Sequence, residues 1–396
     1  MPWPINTHIM VETCDTNDCT GCGACYNACP RAAISMQHDD EGFLRPVIDA
    51  GLCIDCHLCT RVCPANNPVT KHERVGKPIA AIAADMATVK RSSSGGMFST
   101  IAEHIFADGG VVYGVVMDEG NVAHHTVARN IDELAPMRSS KYMQSDTRQT
   151  YRSVKQDLKR GVPVLYTGTP CQIAGLLNYL GNTDRSRLVT ADVVCHGTPS
   201  AKMFISYLHK LADYRHIQYE NIKDFNFRQT DTWDIVPVFY LNGDKITLQR
   251  AENLYMRLFL SGRLHRPCCY HCPYATTGRI SDITIADFWG IGEKMAFHYD
   301  TKAGCSLVLP NSDKGKELFA QISGKLHYEY RSWEEALKYN HQLHTPSRQP
   351  RDRATAIKAV LGSDSIERVN YIMFNSPAKL LQRIIRKILR KLHFIH

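Results

Sequence analysis

The feature that most constrains this chain is a cysteine pattern that occurs twice near its start. Cys19, Cys22, Cys25 and Cys29-Pro30 are spaced C-x2-C-x2-C-x3-C-P, and Cys53, Cys56, Cys59 and Cys63-Pro64 repeat the spacing. Three thiols two residues apart wrap three corners of one cubane 4Fe–4S cluster. The fourth, followed by a turn-forming proline, points away and ligates the other cluster. One cluster then takes Cys19, Cys22, Cys25 and Cys63, and the second takes Cys53, Cys56, Cys59 and Cys29. The exchanged fourth ligands hold the two close enough for single electrons to hop. Gly21 and Gly23 supply the permissive backbone that close approach to a cluster requires. C-x2-C also marks structural zinc sites, but zinc gives no reason for three evenly spaced cysteines plus Cys-Pro, twice. Cys14 falls outside the pattern and reads as a spare thiol.

The chain has 15 cysteines, an odd number, and nine of them lie between Cys14 and Cys63. That argues for thiolates kept for metal in a reducing compartment, not for a disulfide framework. The opening MPWPINTHIM has neither a basic start nor an apolar stretch, and no window reaches the roughly 20 apolar residues of a membrane span. A cytoplasmic location is expected. Six of the eight net positive charges sit between Lys379 and His396 (Lys379, Arg383, Arg386, Lys387, Arg390, Lys391). The basicity is therefore mainly a property of the tail, and a nucleic-acid surface is not indicated.

At 396 residues the chain has room for two or three units. Composition changes after Asn66-Asn67-Pro68, which predicts a dicluster domain over 1–75 and a larger domain over 76–345, divided near 160. Residues 346–396 read as a linker and tail. Ile79 to Ala84 reads as a buried strand, and Arg91-Ser92-Ser93-Ser94-Gly95-Gly96 leads into a helix from Met97 to Phe106. Further strands are expected over 110–117, 122–128, 162–166 and 188–194, with helices over 146–159 and 173–180. Val236 to Gln249, broken at Asn242-Gly243, reads as a hairpin. The fold class is α+β: a ferredoxin-like dicluster module, a mixed-sheet α/β domain and a C-terminal basic amphipathic helix.

The Ser-Gly loop offers bare backbone N–H groups at a helix start, which suits a phosphate, although many such pairs simply cap a helix. Gly168-Thr169-Pro170-Cys171 has the same form and the same ambiguity. Cys171 and Cys195 both fall at predicted strand ends. With Cys269 and Cys272 from Cys268-Cys269-Tyr270-His271-Cys272-Pro273 they could complete a third four-thiolate site. Equally, Cys171 and Cys195 read as small buried apolar residues. Cys305 reads as strand core.

Several motifs occur together and in order: Arg91 to Phe98, Ser140-Lys141-Tyr142, Gly168 to Leu176, Cys195-His196-Gly197, Cys269 to Pro273, and Arg279 to Gly290. This combination resembles the beta-subunit family of coenzyme F420 hydrogenase/dehydrogenase, fused to an N-terminal dicluster ferredoxin. The variant with Asp287-Phe288-Trp289-Gly290 looks like bacterial members found beside surface-polysaccharide genes. The resemblance implies a flavin, FAD or FMN, in the α/β domain, with a third 4Fe–4S cluster beside it. It places Ser93, Ser94, Gly95 and Gly96 at the flavin phosphates, with Lys141 and Thr169 nearby. One departure stands out: the family's usual Gly-Asp is Ala286-Asp287 here, which puts close ligand approach at that point in doubt.

Two functions follow. In the first, electrons from a ferredoxin or other redox protein pass through the clusters to a flavin that reduces a small-molecule substrate, with His196 and Asp287 as candidates for proton delivery. In the second, the chain is an electron-relay subunit of a larger deazaflavin-linked complex without a substrate site of its own. A purely structural or sensing role for the clusters fits poorly with three motif sets. Leu380, Leu381, Ile384, Ile385, Ile388, Leu389 and Leu392 recur at helical spacing among the six tail cations. That pattern suits an anionic membrane surface at the inner face, or packing on the body or a partner.

Overall fold

The computed structural model describes residues 12–377, apart from 75, 230 and 231, together with residue 385. The tail helix expected between Lys379 and His396 lies, but for Ile385, outside the described residues.

The two cysteine repeats each contribute one short helix, α1 (Ala24–Ala28) and α2 (Leu58–Arg61), and between them runs the antiparallel hairpin β1 (Ile34–His38) and β2 (Leu44–Ile48). The large domain follows with β3 (Ile79–Ala83), α3 (Met86–Lys90), α4 (Met97–Ala107), β4 (Val111–Met117), β5 (Ala123–Ala128), α5 (Thr150–Lys159), β6 (Val164–Gly168), α6 (Pro170–Leu180) and β7 (Leu188–Val193). Next come α7 (Ala201–Arg215), β8 (Lys223–Asn226), β9 (Val238–Leu241), β10 (Asp244–Thr247) and α8 (Leu254–Leu260). The remaining elements are β11 (Ile283–Asp287), β12 (Ser306–Pro310), α9 (Asp313–Ile322), β13 (Leu326–Tyr330), α10 (Trp333–Tyr339), α11 (Arg353–Leu361) and α12 (Ile366–Asn370).

Eight of these strands form one mixed sheet in the order β13-β3-β12-β11-β7-β6-β4-β5, with β4, β6, β7 and β11 parallel. Its strands read as near-continuous apolar runs because both faces are covered. Successive residues serve opposite faces: Val112 and Leu165 pack under α4 and α9, while Val111, Tyr113, Val164 and Tyr166 pack under α5 and α6. The hairpin at Asn242-Gly243 is present, and β8 extends it to three strands beside α7.

Helix α6 begins at Pro170, three residues before its expected start. Proline is tolerated in the first turn, and Thr169 and Gln172 cap one another reciprocally. Cys171 therefore sits inside the first helical turn. Helix α5 begins later than expected, because Asp146 first pairs with the sheet edge through Ala123 and His125.

The reading of residues 346–353 as a linker to the tail is corrected. Arg353 is buried, donating to His265 O at 3.0 Å and gripping the Glu41 carboxylate with both terminal nitrogens. The helices that follow bury Ala356, Ile357, Val360, Ile366 and Val369 against Phe204, Leu208 and Leu211 of α7. Periodicity alone did not show this because the buried face of α11 carries the charged Arg353 and the small Ala356, which blur its apolar stripe.

Candidate metal centres

The structure gathers the cysteines of the two repeats around two cavities. One, of about 370 Å³ and open to solvent, is lined by Cys53, Cys56 and Cys59 together with Cys29. The other, of about 340 Å³, is lined by Cys19, Cys22 and Cys25 together with Cys63. Each fourth thiol thus stands with the opposite repeat. The outer cavity lies at the surface, where Cys56 is exposed and Ile54 is 58 % exposed. The inner one is walled by buried Cys19, Cys22 and Cys63. Burial pushes the Cys22 thiol up to about 11, while a hydrogen bond from Cys14 and the charge of Arg266 pull Cys19 down to about 5. Cys14 also lines the inner cavity.

Among the described residues no three His, Cys, Asp or Glu side chains close on a point that could hold a single metal ion. The thiols stand instead around spaces with room for a multi-atom group. Four soft sulfur donors at each cavity, with a backbone donor from Ala33 N to Cys29 Sγ at 3.2 Å, fit a cubane.

The glycines of the first loop have positive φ and both line the inner cavity, and the large domain also comes close to them. A Cβ on Gly23 would lie 2.3 Å from Thr147 Oγ1, and one on Gly21 2.4 Å from Gln144 Nε2. Those two side chains donate to Cys22 O and Thr20 O. Arg152 completes the docking, donating to Asn27 O, Tyr26 O and Cys29 O.

Cys171, Cys195, Cys269 and Cys272 are brought together at the carboxyl ends of β6 and β7, where open α/β sheets place their ligands. Burial and the neighbouring thiols drive Cys171 well above the usual thiol range. Cys195 is pushed up to about 12 by burial and then by Cys269. Cys269 is pulled down to about 7 by a hydrogen bond from Cys268. Cys195 Sγ accepts from Gly197 N at 3.4 Å. Four partly buried thiols grouped within reach of one another's charge, with the cation of Arg279 nearby, form a donor set that fits a third cubane. Buried Tyr274 packs in one cluster with Cys22 of the inner set and Cys171 and Cys272 of this group. Gly175, one turn after Cys171 on α6, lets the helix come against Cys22, since a Cβ there would be 2.8 Å from Cys22 Sγ.

The remaining sequence-predicted residues are placed as follows. Ser93 Oγ donates to Ser139 Oγ at 3.0 Å and Ser94 Oγ donates to Cys305 O at 3.0 Å. Gly95 lies tight on the sheet, where a Cβ would be 2.3 Å from Ala81 O. Gly96 opens α4 with no side-chain cap. Lys141 Nζ turns back onto Pro136 O and Arg138 O at 2.8 and 2.6 Å, and burial lowers its pKa to about 7. Thr169 Oγ1 is engaged by Gln172 and Cys171. His196 donates from Nε2 to Leu260 O at 3.0 Å, and burial depresses its pKa. Asp287 is held by Arg228 Nη1 at 2.5 Å and Trp233 Nε1 at 2.7 Å. The polar capacity of both proton-delivery candidates is thus largely committed to internal bonds.

Sequence reasoning missed the cations around these sites: Arg228 on Asp287, Arg279 on Asp192 at 3.0 Å, and Arg266 beside Cys19. The one signal available was Arg266 directly before Pro267-Cys268-Cys269, a charge in an otherwise ligand-bearing stretch.

Comparison with known proteins gives the family. Residues 79–150 match the family model for the N-terminal part of the coenzyme F420 hydrogenase/dehydrogenase beta subunit, and residues 162–336 match its C terminus. Residues 18–67 match a 4Fe-4S dicluster domain. An uncharacterized protein of Methanocaldococcus jannaschii is 22% identical over 81% of this chain and 92% of its own length. The coenzyme F420-dependent sulfite reductase of the same organism is 24% identical over 61% of this chain and 38% of its own length. The isethionate sulfite-lyase activating enzyme of Desulfovibrio desulfuricans is 38% identical over 20% of this chain, which spans only 25% of that enzyme. A chain from the F420-reducing [NiFe] hydrogenase complex of Methanosarcina barkeri superposes with a TM-score of 0.46 at 16% identity, covering 69% of this chain and 91% of that one. The chain is a redox protein that belongs to the coenzyme F420 hydrogenase/dehydrogenase beta-subunit family and carries an iron–sulfur dicluster domain at its N-terminal side.

Proposed function

We propose that the chain is an electron-relay subunit of a larger redox assembly. The observation that carries the reading is the succession of three thiol sets from the surface to the strand rim: Cys29, Cys53, Cys56 and Cys59 outermost, then Cys19, Cys22, Cys25 and Cys63, then Cys171, Cys195, Cys269 and Cys272. Cubanes at these thiols supply one-electron transfer without atom transfer. The protein's own part is spacing and insulation. Exposed Cys56 presents the outer set to a redox partner, and buried Tyr274 and Gly175 pack the inner set against the third. Relatives named as hydrogenase and sulfite reductase point the same way.

Iron, sulfide and flavin counted on protein purified without oxygen test the reading. About twelve irons per chain are expected, with a partner oxidoreductase co-purifying under gentle conditions and no steady substrate turnover by the isolated chain. About eight irons would return the third thiol set to a packing role.

A second reading, reduction of a small molecule by a bound flavin, is favoured by one feature. The amino end of α4, behind Ser93 to Gly96, is uncapped by any side chain, and such an end suits a phosphate. One flavin per chain together with unassisted turnover of a surface-polysaccharide precursor would select it.

Among the described residues no helix is long and apolar enough to cross a membrane. The basic pattern of residues 379–392 suits peripheral attachment to an anionic inner surface. Flotation with anionic liposomes should be lost on deleting residues 378–396, and flotation unchanged by the deletion would refute the attachment.

A further inference from the structure

Arg266 is 1 % exposed, yet its guanidinium makes no ion pair with a carboxylate among the described residues. Its Nε donates to Cys19 O at 2.6 Å and its Nη1 to Gln144 Oε1 at 3.0 Å. Its Nη2 donates to Leu44 O at 2.9 Å and to Cys19 Sγ at 3.4 Å. The Phe43 ring lies 5.4 Å from the guanidinium centre. Removing such a cation from water costs several kcal/mol and is tolerated when a negative charge faces it. The other large, fully buried arginines have that partner: Arg228 pairs with Asp287, and Arg331 with Glu335. The partners of Arg266 are three neutral oxygens and one sulfur, and only the sulfur, Cys19 Sγ, can bring negative charge as a cluster ligand. Through Pro267 the same residue leads into the Cys268-Cys269 segment, and its charge reaches Cys269. One buried cation thus lies against Cys19 of the inner set and directly precedes the segment that carries Cys269 and Cys272.

We propose that Arg266 tunes the reduction potential of the inner cavity, holding a cluster bound there above the potential that its four thiolates alone would give. The inference rests on the reading that the inner cavity carries a cubane. Reduction adds one electron and one negative charge to the cluster, with no bond made or broken. A fixed positive charge and an N–H donor on a ligand sulfur both favour that added charge. At the outer cavity the donor to Cys29 sulfur is a neutral backbone N–H from Ala33. Two cubanes with nearly identical ligand loops are thereby made unequal, and an electron arriving at the exposed set runs downhill inwards.

The test is a potentiometric titration with dithionite, followed by EPR, on oxygen-free full-length protein with Arg266→Gln and Arg266→Lys as variants. Iron and sulfide should stay at the parent level. The inner midpoint should fall in Arg266→Gln until electron sharing with the outer cluster shifts at least tenfold, about 59 mV for one electron. Arg266→Lys should lie between. An unmoved midpoint with full iron overturns the inference and leaves the relay reading standing. Parent protein that takes up no iron at the inner thiols overturns the relay reading itself. Should neither variant assemble a cluster, parent protein grown with arginine carrying the heavy nitrogen isotope decides by pulsed EPR. A nitrogen coupling at the reduced inner cluster supports the role, and none overturns it.

Discussion

Cys63→Ala should empty the inner cavity and spare the outer one, although Cys63 belongs by position to the second repeat. The thiol lines the inner cavity with Cys19, Cys22 and Cys25, while its sequence neighbours Cys53, Cys56 and Cys59 line the outer. A cubane with three thiolates and an apolar fourth corner is held poorly, so about four irons per chain should be lost. The reduced protein should lose the inner EPR signal and keep the outer. Reduction of whatever lies beyond the third thiol set should slow, because the middle step of the relay is removed. Cys29→Ala should give the mirror result, emptying the outer cavity only. If Cys63→Ala instead removes the outer signal, the crossed arrangement is wrong and each repeat serves its own cluster.

Asp287→Ala should destabilise the fold by about 3–5 kcal/mol, the usual effect of leaving a buried charge without its partner. Arg228 has a fully buried side chain, and Asp287 is 14% exposed. Asp287 also accepts from Trp233 Nε1, whose ring stacks 5.0 Å from Trp289. Its loss therefore releases a cation and an indole together. Urea unfolding of oxygen-free protein measures the effect. Asp287→Asn should recover part of it by keeping the Trp233 acceptor. The double variant Arg228→Met with Asp287→Leu should recover most, because removing both charges spares the desolvation that one alone incurs. If Asp287→Asn leaves stability unchanged but abolishes substrate turnover, Asp287 is a proton donor and the electron-relay reading gives way to the flavin enzyme.

The parts of this molecule that could be read from its sequence are those with local causes. A cluster loop declares itself by spacing, so the dicluster domain was legible in Cys19 to Cys63, and the cavity linings group the thiols as that spacing predicts. Strands such as β3 and β6 declare themselves by short apolar runs. The third thiol set was only half legible. Cys171, in the first turn of α6, and Cys195, just beyond β7, are 24 positions apart, and only the parallel pairing of β6 with β7 makes them neighbours. Gly21 and Gly23 were seen to need freedom, but one reason, Gln144 and Thr147 pressing on the loop, is a contact across more than a hundred residues. Arg266 and Arg228 were invisible for the same cause. A buried charge reveals itself by its surroundings, and neither spacing nor composition records them. The helix α11 misled because Arg353 and Ala356 on its buried face blur the apolar stripe that would mark it as packed, and two prolines before it resembled a linker.

The grip of Arg353 on Glu41 joins the first structural unit of the chain to one of its later helices. On the ribosome, the two cysteine loops emerge and can fold long before Arg353 has been translated. The module therefore spends part of its early life undocked, with the face that α5 and α6 later cover still open to solvent. Glu41 is gripped by a residue 312 positions further along the chain, so this clasp can close only after almost all of the chain has been made.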